Sequence, residues 1–150
     1  MNINSLLHEQ AIFIPLEQTE KTTIISHLID GLVQSGAVTD KTEYQRAVLA
    51  REETGSTGIG FGVAIPHGKS KGVAEAGLAF AKLSTPADWN SLDGEPVKVV
   101  FLIAVPEAAE GNSHLQILIA LSRKLIDSDF REQLMAVSSS TQLKELLATI

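Results

Sequence analysis

The chain has 150 residues, enough for one domain with a hydrophobic core, and its 44% apolar and 20% charged residues are ordinary for a globular protein. The net charge of −6 argues against a nucleic-acid partner, because binding to a phosphate backbone needs a basic patch. The absence of cysteine excludes disulfides, thiolate catalysis and zinc–thiolate sites.

Neither a signal peptide nor a transmembrane helix is predicted. Residues 1–15 carry no basic region ahead of their apolar residues. No apolar run approaches the roughly 20 residues that span a bilayer. We therefore expect a cytoplasmic protein without direct membrane insertion.

The first half of the chain predicts one strand and two helices. The apolar run 11–14 predicts a strand that Pro15 ends. An apolar stripe of period 3.6 predicts a helix over 19–36, with Gly36 as its C-cap. Asp40 can cap a second helix that runs to about residue 53 and has Tyr44, Val48 and Arg51 on its inward side.

The second half alternates strands and helices. A glycine-rich loop over 53–60 leads into a short strand at 62–65. The segment 97–105 is the most continuously apolar and predicts a central strand covered on both faces. The alternation predicts a layered α/β domain. The remaining segments are a strand at 77–83, a turn-rich loop at 89–96 and helices at 113–127, 128–136 and 141–148.

Glycine-rich motifs suggest nucleotide binding but do not fit it. Gly68-Lys69-Ser70 resembles the end of a P-loop, yet five residues instead of four separate it from Gly62, and no helix follows directly. Gly58, Gly60 and Gly62 give G-x-G-x-G, which is not the dinucleotide-binding spacing. No cofactor is therefore expected, and the glycines are read mainly as turn residues.

Two of the four histidines have contexts that suggest chemistry. His67 stands between Pro66 and Gly68 at a strand end, where loops often carry function, although a chance loop position is as good a reading. Ser113 and Gln116 form a capping-box pattern that places His114 in the first turn of a helix, beside unpaired N–H groups. The plainer alternative for His114 is a hydrogen-bonded core histidine.

Arg51 and the remaining polar residues leave two further alternatives. Arg51, at the end of its helix, is either a cation favoured by the helix dipole or a fork of donors for a phosphate. The histidine spacing does not support a metal site. A Ser-His-Asp hydrolase is not supported because the G-x-S-x-G elbow is missing.

Taken together, these motifs resemble the type-2 enzyme IIA domain, the fructose/mannitol class of the bacterial phosphoenolpyruvate:sugar phosphotransferase system. The resemblance covers nearly the whole chain and implies one domain over 1–150. Its fold would be α/β (α+β), a mixed sheet of about five strands flanked by helices on both faces. The blocks that carry it are 51–53, 56–60, 62–67, Trp89, 92–94, 99–106 and 113–116.

The resemblance also implies roles for individual residues. His67 matches the phosphorylated histidine, which takes a phosphoryl group from phospho-HPr and passes it to a IIB domain that works with a membrane IIC. His114 and Arg51 match positions beside the phosphohistidine. A neutral imidazole suits this chemistry near pH 7, because the unperturbed histidine pKa is about 6.5.

Partner docking and biological role are less well defined by the sequence. We expect a shallow, solvent-facing site, because donor and acceptor are proteins. Phe61, among glycines just ahead of the strand, is either an exposed anchor for a partner or a buried core aromatic. Sugar transport, with a fructose-type sugar, and regulation by a nitrogen-related IIA protein use the same histidine chemistry and both remain open.

Overall fold

The computed structural model describes residues 3–108 and 113–150, with the backbone alone for Ser113 and His114. A short 3-10 helix at Ile3–Leu6 precedes six strands and five α-helices in this described part. The strands are β1 Leu7–Leu16, β2 Gly58–Gly60, β3 Val63–Ala64, β4 His67–Ser70, β5 Gly77–Ala87 and β6 Val97–Pro106. The helices are α1 Lys21–Ser35, α2 Lys41–Thr54, α3 Ser113–Leu125, α4 Ser128–Met135 and α5 Ser140–Leu147.

The six strands form one mixed sheet around β6. Its order is β1-β5-β6-β3-β2. β4 also pairs with β6, along Ile103 to Pro106, just beyond the part of β6 that pairs with β3. β1 lies parallel to β5, β5 runs antiparallel to β6, and both β3 and β4 lie parallel to β6. Paired along both edges, β6 is buried from Val99 to Val105, which confirms the predicted central strand.

Each face of the sheet has its own hydrophobic core. One core packs α1 and α2 against the sheet and includes Leu28, Tyr44 and Trp89. The other packs α3, α4 and α5 against the opposite face and includes Phe101 and Leu121. Helices on both faces of a mixed sheet confirm the predicted fold class.

The helix predictions are confirmed to within a few residues at each end. Asp40 caps α2 by accepting a hydrogen bond from Glu43 N, and Gly36 ends α1 with a φ of 88°. No helix in residues 3–108 or 113–150 has both the length and the hydropathy needed to cross a bilayer.

Three strand predictions are wrong in their details. Pro15 does not end β1, because β1 is an edge strand that pairs only with β5, and an edge tolerates a missing N–H. The predicted loop 53–60 contains β2, which forms a hairpin with β3. Residues beyond Pro66 form a further strand, β4, which the sequence interpretation did not include.

Helix α2 packs closely on β4. A Cβ on Gly68 would lie 3.0 Å from Val48 Cγ2 and 3.2 Å from Val48 N. A Cβ on Gly72 would lie 2.4 Å from Asp40 O. Glycine at these two positions therefore lets the helix approach the strand that begins with His67.

Candidate functional site

His67 begins β4 at the edge of the sheet. Pro66 separates β3 from β4, and its carbonyl accepts a hydrogen bond from Ile103 N at 3.0 Å. His67 lies opposite Ile103 in the parallel pairing of β4 with β6. The histidine is therefore held by the central strand, and it is half-buried. Gly68-Lys69-Ser70 continues β4, so the near-match to a P-loop has no structural counterpart.

The imidazole of His67 has a defined tautomer when it is neutral. Its Nδ1 lies 3.0 Å from the carbonyl oxygen of Ile65. A carbonyl oxygen only accepts hydrogen bonds, so Nδ1 must carry the proton. The lone pair of the neutral ring is then on Nε2, which makes Nε2 the nucleophilic nitrogen.

His67 lines a cleft of about 520 Å³. The cleft wall is mainly apolar, and Leu92 and Ile126 on its rim are 82% and 75% exposed. His67 is thus partly exposed in a cleft whose rim carries exposed apolar side chains. The other lining residues are Arg51, Ser56, Thr57, Ile59, Ile65, Leu115, Leu118, Ile119, Ser122 and Arg123.

Arg51 reaches the same cleft from the C-terminal end of α2. Its Nη1 donates to Thr54 Oγ1 at 3.2 Å, in the last residue of the helix, and to Gly55 O at 2.8 Å, in the loop that follows. These bonds fix one arm of the guanidinium and leave Nη2 and Nε to bind other acceptors. Arg51 and His67 thus line the same cleft, and their roles stay predictions.

The side chain of His114 lies outside the described residues. The backbone of His114 belongs to the first turn of α3, as predicted. The next residue, Leu115, lines the cleft and is 43% exposed. The start of α3 therefore borders the His67 cleft, and the proposed role of His114 is still a prediction.

Arg123 is a cleft residue that the sequence interpretation missed. It lies on α3, whose residues Leu115, Leu118, Ile119, Ser122 and Arg123 line the cleft, while Ile117, Leu121 and Leu125 are buried in the core. The signal was present in the sequence: α3 carries more apolar residues than one core-facing stripe requires. A second apolar face indicates a surface that contacts something other than the core.

Phe61 is exposed, which excludes the alternative of a buried core aromatic. It is 54% exposed and forms the tip of the β2–β3 hairpin together with Gly62. Phe61 has a φ of 60° and Gly62 a φ of 76°, as a two-residue type I′ turn requires. A bulky side chain is uncommon in this left-handed conformation. The ring stacks on the Arg131 guanidinium at 4.1 Å, and Phe61 N donates to Asp93 Oδ2 at 3.1 Å.

Phe61 belongs to a neighbouring groove rather than to the His67 cleft. This groove is lined by Lys98, Arg131 and Met135, among others. A hydrogen bond links the two, because Arg131 Nη1 of this groove donates to the carbonyl of Ile126, which lines the cleft, at 3.0 Å. Phe61 therefore lies beside the cleft, and its role as a partner anchor remains a prediction.

Comparison with known proteins gives the same family throughout the chain. The family model described as "Phosphoenolpyruvate-dependent sugar phosphotransferase system, EIIA 2" matches residues 5–150. The fructose-specific EIIA component of Haloferax volcanii is 37% identical over 149 residues, covering 99% of this chain and 96% of that protein. The fructose-specific EIIABC component of Bacillus subtilis is 37% identical over 147 residues, covering 98% of this chain but only 23% of that protein.

Solved structures agree with this assignment. The crystal structure of nitrogen regulatory protein IIA-Ntr from Neisseria meningitidis matches with a TM-score of 0.88 and 34% identity, over 97% of this chain and 98% of that one. The complex of enzyme IIA-Mtl with phosphorylated enzyme IIB-Mtl from Escherichia coli matches with a TM-score of 0.81 and 26% identity, over 97% of this chain and 100% of that one. The chain therefore belongs to the EIIA 2 family of the phosphoenolpyruvate-dependent sugar phosphotransferase system, as a IIA component that carries a phosphohistidine in that system's phosphoryl transfer chain.

Proposed function

We propose that His67 is the phosphohistidine, and that residues 1–150 act as one IIA domain. His67 Nε2 attacks the phosphorus of phospho-HPr, the N–P bond to His67 forms, and the bond to the donor breaks. The same group then leaves for a IIB domain, which regenerates the neutral imidazole. The observation that carries this proposal is the contact of His67 Nδ1 with Ile65 O, because it leaves the lone pair on Nε2.

Arg51 and His114 would stabilise the charge on the transferred group. Phosphoryl transfer depends mainly on in-line positioning and on electrostatic stabilisation of the equatorial oxygens. Arg51 lines the cleft with His67, and only its Nη1 is engaged by the loop. His114 adds an imidazole at the N-terminal turn of α3, where backbone N–H groups favour anions.

The rim of the cleft suits proteins as donor and acceptor. Leu92, Leu115, Ile119 and Ile126 are each at least 42% exposed beside His67. Exposed apolar residues gathered around a reactive group are typical of a docking surface. We assign this rim to HPr and IIB, which use it in turn, with Phe61 as an anchor at its edge. A IIB partner also appears in the mannitol complex, where the protein on IIB is a structural relative of this chain.

The biological role we propose is fructose-type sugar uptake, in the cytoplasm and in cooperation with a membrane IIC. The support is the 37% identity to fructose-specific components of two organisms. The alternative is regulation by phosphorylation state, which the nitrogen regulatory protein of Bradyrhizobium diazoefficiens, 34% identical over 148 residues, favours. A purified fructose-type IIB that takes phosphate from the phosphorylated chain would support transport, and failure of such transfer would favour regulation.

The central test is labelling with phosphoenolpyruvate, enzyme I and HPr. We expect the wild-type chain to become labelled and His67→Ala to stay unlabelled. His27→Ala is the matched control, because His27 lies on α1, packs edge-on against Phe13 of β1 and does not line the cleft. Undiminished label on His67→Ala would overturn the proposal.

The supporting residues are tested by rates rather than by end points. For Arg51→Ala and His114→Ala we expect slower transfer with unchanged thermal stability. Loss of one such donor typically slows a reaction about 100-fold. Unchanged rates in both variants would show that His67 works without these neighbours.

A further inference from the structure

A polar network surrounds the buried carboxylate of Glu52 and reaches the cleft wall at Thr57. Thr57 Oγ1 donates a short hydrogen bond to Glu52 Oε1 and accepts one from Trp89 Nε1 at 3.1 Å. Lys21 Nζ lies 2.6 Å from Glu52 Oε2 and 5.4 Å from the centre of the Trp89 ring. Lys21 and Thr57 therefore contact the Glu52 carboxylate directly, and Trp89 contacts both of them.

The network is buried and depends on the charge of Glu52. The Glu52 side chain is 6% exposed and that of Lys21 24% exposed. No well-directed hydrogen bond reaches Glu52 Oε2 within the described residues, so the ion pair with Lys21 offsets the desolvation of that oxygen. Removing one partner of such a pair leaves the other charge poorly compensated. The positions of Lys21, Thr57 and Trp89 therefore depend on the Glu52 carboxylate.

The network holds the loop that holds Arg51. Residues 55–57 connect α2 to β2, and Arg51 Nη1 donates to Thr54 Oγ1 at the end of α2 and to Gly55 O at the start of this loop. The end of the loop is fixed at Thr57 by Glu52 and Trp89, and Ser56 Oγ donates to Trp89 O. The position of the Arg51 guanidinium thus depends on a segment that Glu52 secures.

We propose that Glu52 is a positioning residue for Arg51. Glu52 does not line the cleft, and it acts by keeping the 55–57 loop in the conformation to which Arg51 is hydrogen-bonded. Thr57 and Lys21 are the groups through which it does so. This inference rests on the proposed function, in which Arg51 stabilises the phosphoryl group on His67.

The test compares single and double variants in transfer from phospho-HPr to His67. A small misplacement of a catalytic group can slow a reaction by about 10- to 100-fold, so for Glu52→Gln we expect a maximal rate about tenfold lower. The phospho-HPr concentration for half-maximal rate should not change, because the docking rim is untouched. Arg51→Ala should be about 100-fold slower than wild type.

The double variant Arg51→Ala/Glu52→Gln distinguishes positioning from a general structural effect. If Glu52 acts through Arg51, its loss has no further consequence once Arg51 is gone, and the double variant should be within about twofold of Arg51→Ala. Independent effects would multiply to about 1,000-fold. Multiplied effects, or a wild-type rate for Glu52→Gln, would overturn the inference.

Two controls keep the test interpretable. Glu9→Gln makes the same chemical change in the exposed Glu9–Lys144 ion pair, away from the cleft, and should leave the rate unchanged. If Glu52→Gln does not fold, the isosteric Thr57→Val removes the donor to Glu52 and should show the same non-additivity with Arg51→Ala. Failure of wild type to accept label would instead overturn the proposed function itself.

Discussion

The hydroxyl of Tyr44 donates a 2.8 Å hydrogen bond to the carbonyl of Ile103, the residue opposite His67 in the pairing of β4 with β6. Tyr44 lies on α2, which carries Arg51 two turns later. The helix that supplies the arginine and the strand that supplies the histidine are therefore both positioned against one residue of β6. The core therefore sets the relative position of α2 and β4, and the loop after α2 holds the guanidinium of Arg51.

Tyr44 should ionise only when the protein unfolds. Burial raises the pKa of the Tyr44 hydroxyl well above its ordinary value of 10.0. The unfolded chain loses the proton first as the pH rises, so this group's contribution to stability is complete below pH 10 and is lost above it. Because Tyr44 and Trp89 are the single tyrosine and tryptophan of the chain, tyrosinate absorbance and tryptophan fluorescence should change together in an alkaline titration.

The variant Tyr44→Phe separates the hydrogen bond from the titration. It should be less stable than wild type at pH 8 by about 1 kcal/mol, the usual worth of a hydrogen bond. Its stability should fall less steeply above pH 10, since no phenol remains to ionise. Tyrosinate formation near pH 10 in a chain whose Trp89 fluorescence is still native would contradict this prediction.

Gly68→Ala should displace α2 from β4. The new Cβ would lie 3.0 Å from Val48 Cγ2, and its cost should be about 1–3 kcal/mol, as for other over-packed cores. Moving α2 also moves Arg51, so transfer to His67 should slow. Urea unfolding and single-turnover transfer from phospho-HPr measure the two effects.

Gly36→Ala provides a control for lost stability alone. Gly36 has a φ of 88° and no atom within 4 Å of an added Cβ, so alanine there is strained but displaces nothing. The cost should be about 1–2 kcal/mol for the left-handed conformation. The transfer rate of Gly36→Ala should equal that of wild type. A rate as low as that of Gly68→Ala would show that destabilisation, not displacement, slows transfer.

Arg123→Gln should weaken transfer without affecting the fold. Arg123 is exposed on the cleft wall, and its guanidinium has no hydrogen-bonding or ionic partner among the described residues. A cation in this place can bind the phosphoryl group or an acidic side chain of a protein partner. We expect a transfer efficiency about tenfold lower at low salt, and a smaller difference at about 1 M salt, where charges are screened within 3 Å.

Lys124→Gln removes the same charge one residue away. Lys124 lies over the Phe130 ring, on the side of α3 that does not line the cleft. Its substitution should change the transfer efficiency much less than Arg123→Gln does. Equal effects would show that net charge, rather than the position of Arg123 in the cleft, matters.

The difference in stability between wild type and Asp93→Asn should disappear in acid. Hydrogen bonds from Glu95 N and Phe61 N lower the pKa of the Asp93 carboxyl from its ordinary value of 3.8. The stabilisation is therefore complete above about pH 4 and is lost as the pH falls through the lower folded-state pKa. Urea midpoints should differ between wild type and Asp93→Asn at pH 7 and converge near pH 2 to 3. A difference independent of pH would contradict this origin.

Features that depend on neighbouring residues along the chain were predictable. The helices were predicted from local signals, namely the apolar period and the caps Gly36 and Asp40. The continuous apolar run predicted the central strand β6. β2 and β4 were missed because short, glycine-containing strands become strands only through pairing with β3 and β6. Pro15 was misread for a similar reason, since its tolerance depends on β1 lying at the edge.

The candidate site divides in the same way. The sequence by itself determined the family, the candidate histidine and the arginine expected beside it, because these residues lie in a contiguous motif. Only the tertiary structure decided which nitrogen of His67 carries the proton, that Arg123 shares its cleft, and that Glu52 is tied to Lys21 and Trp89. The longest of these contacts, from Lys21 to Trp89, joins residues 68 positions apart in the chain. Such contacts depend on how the helices and strands pack together and not on the local sequence.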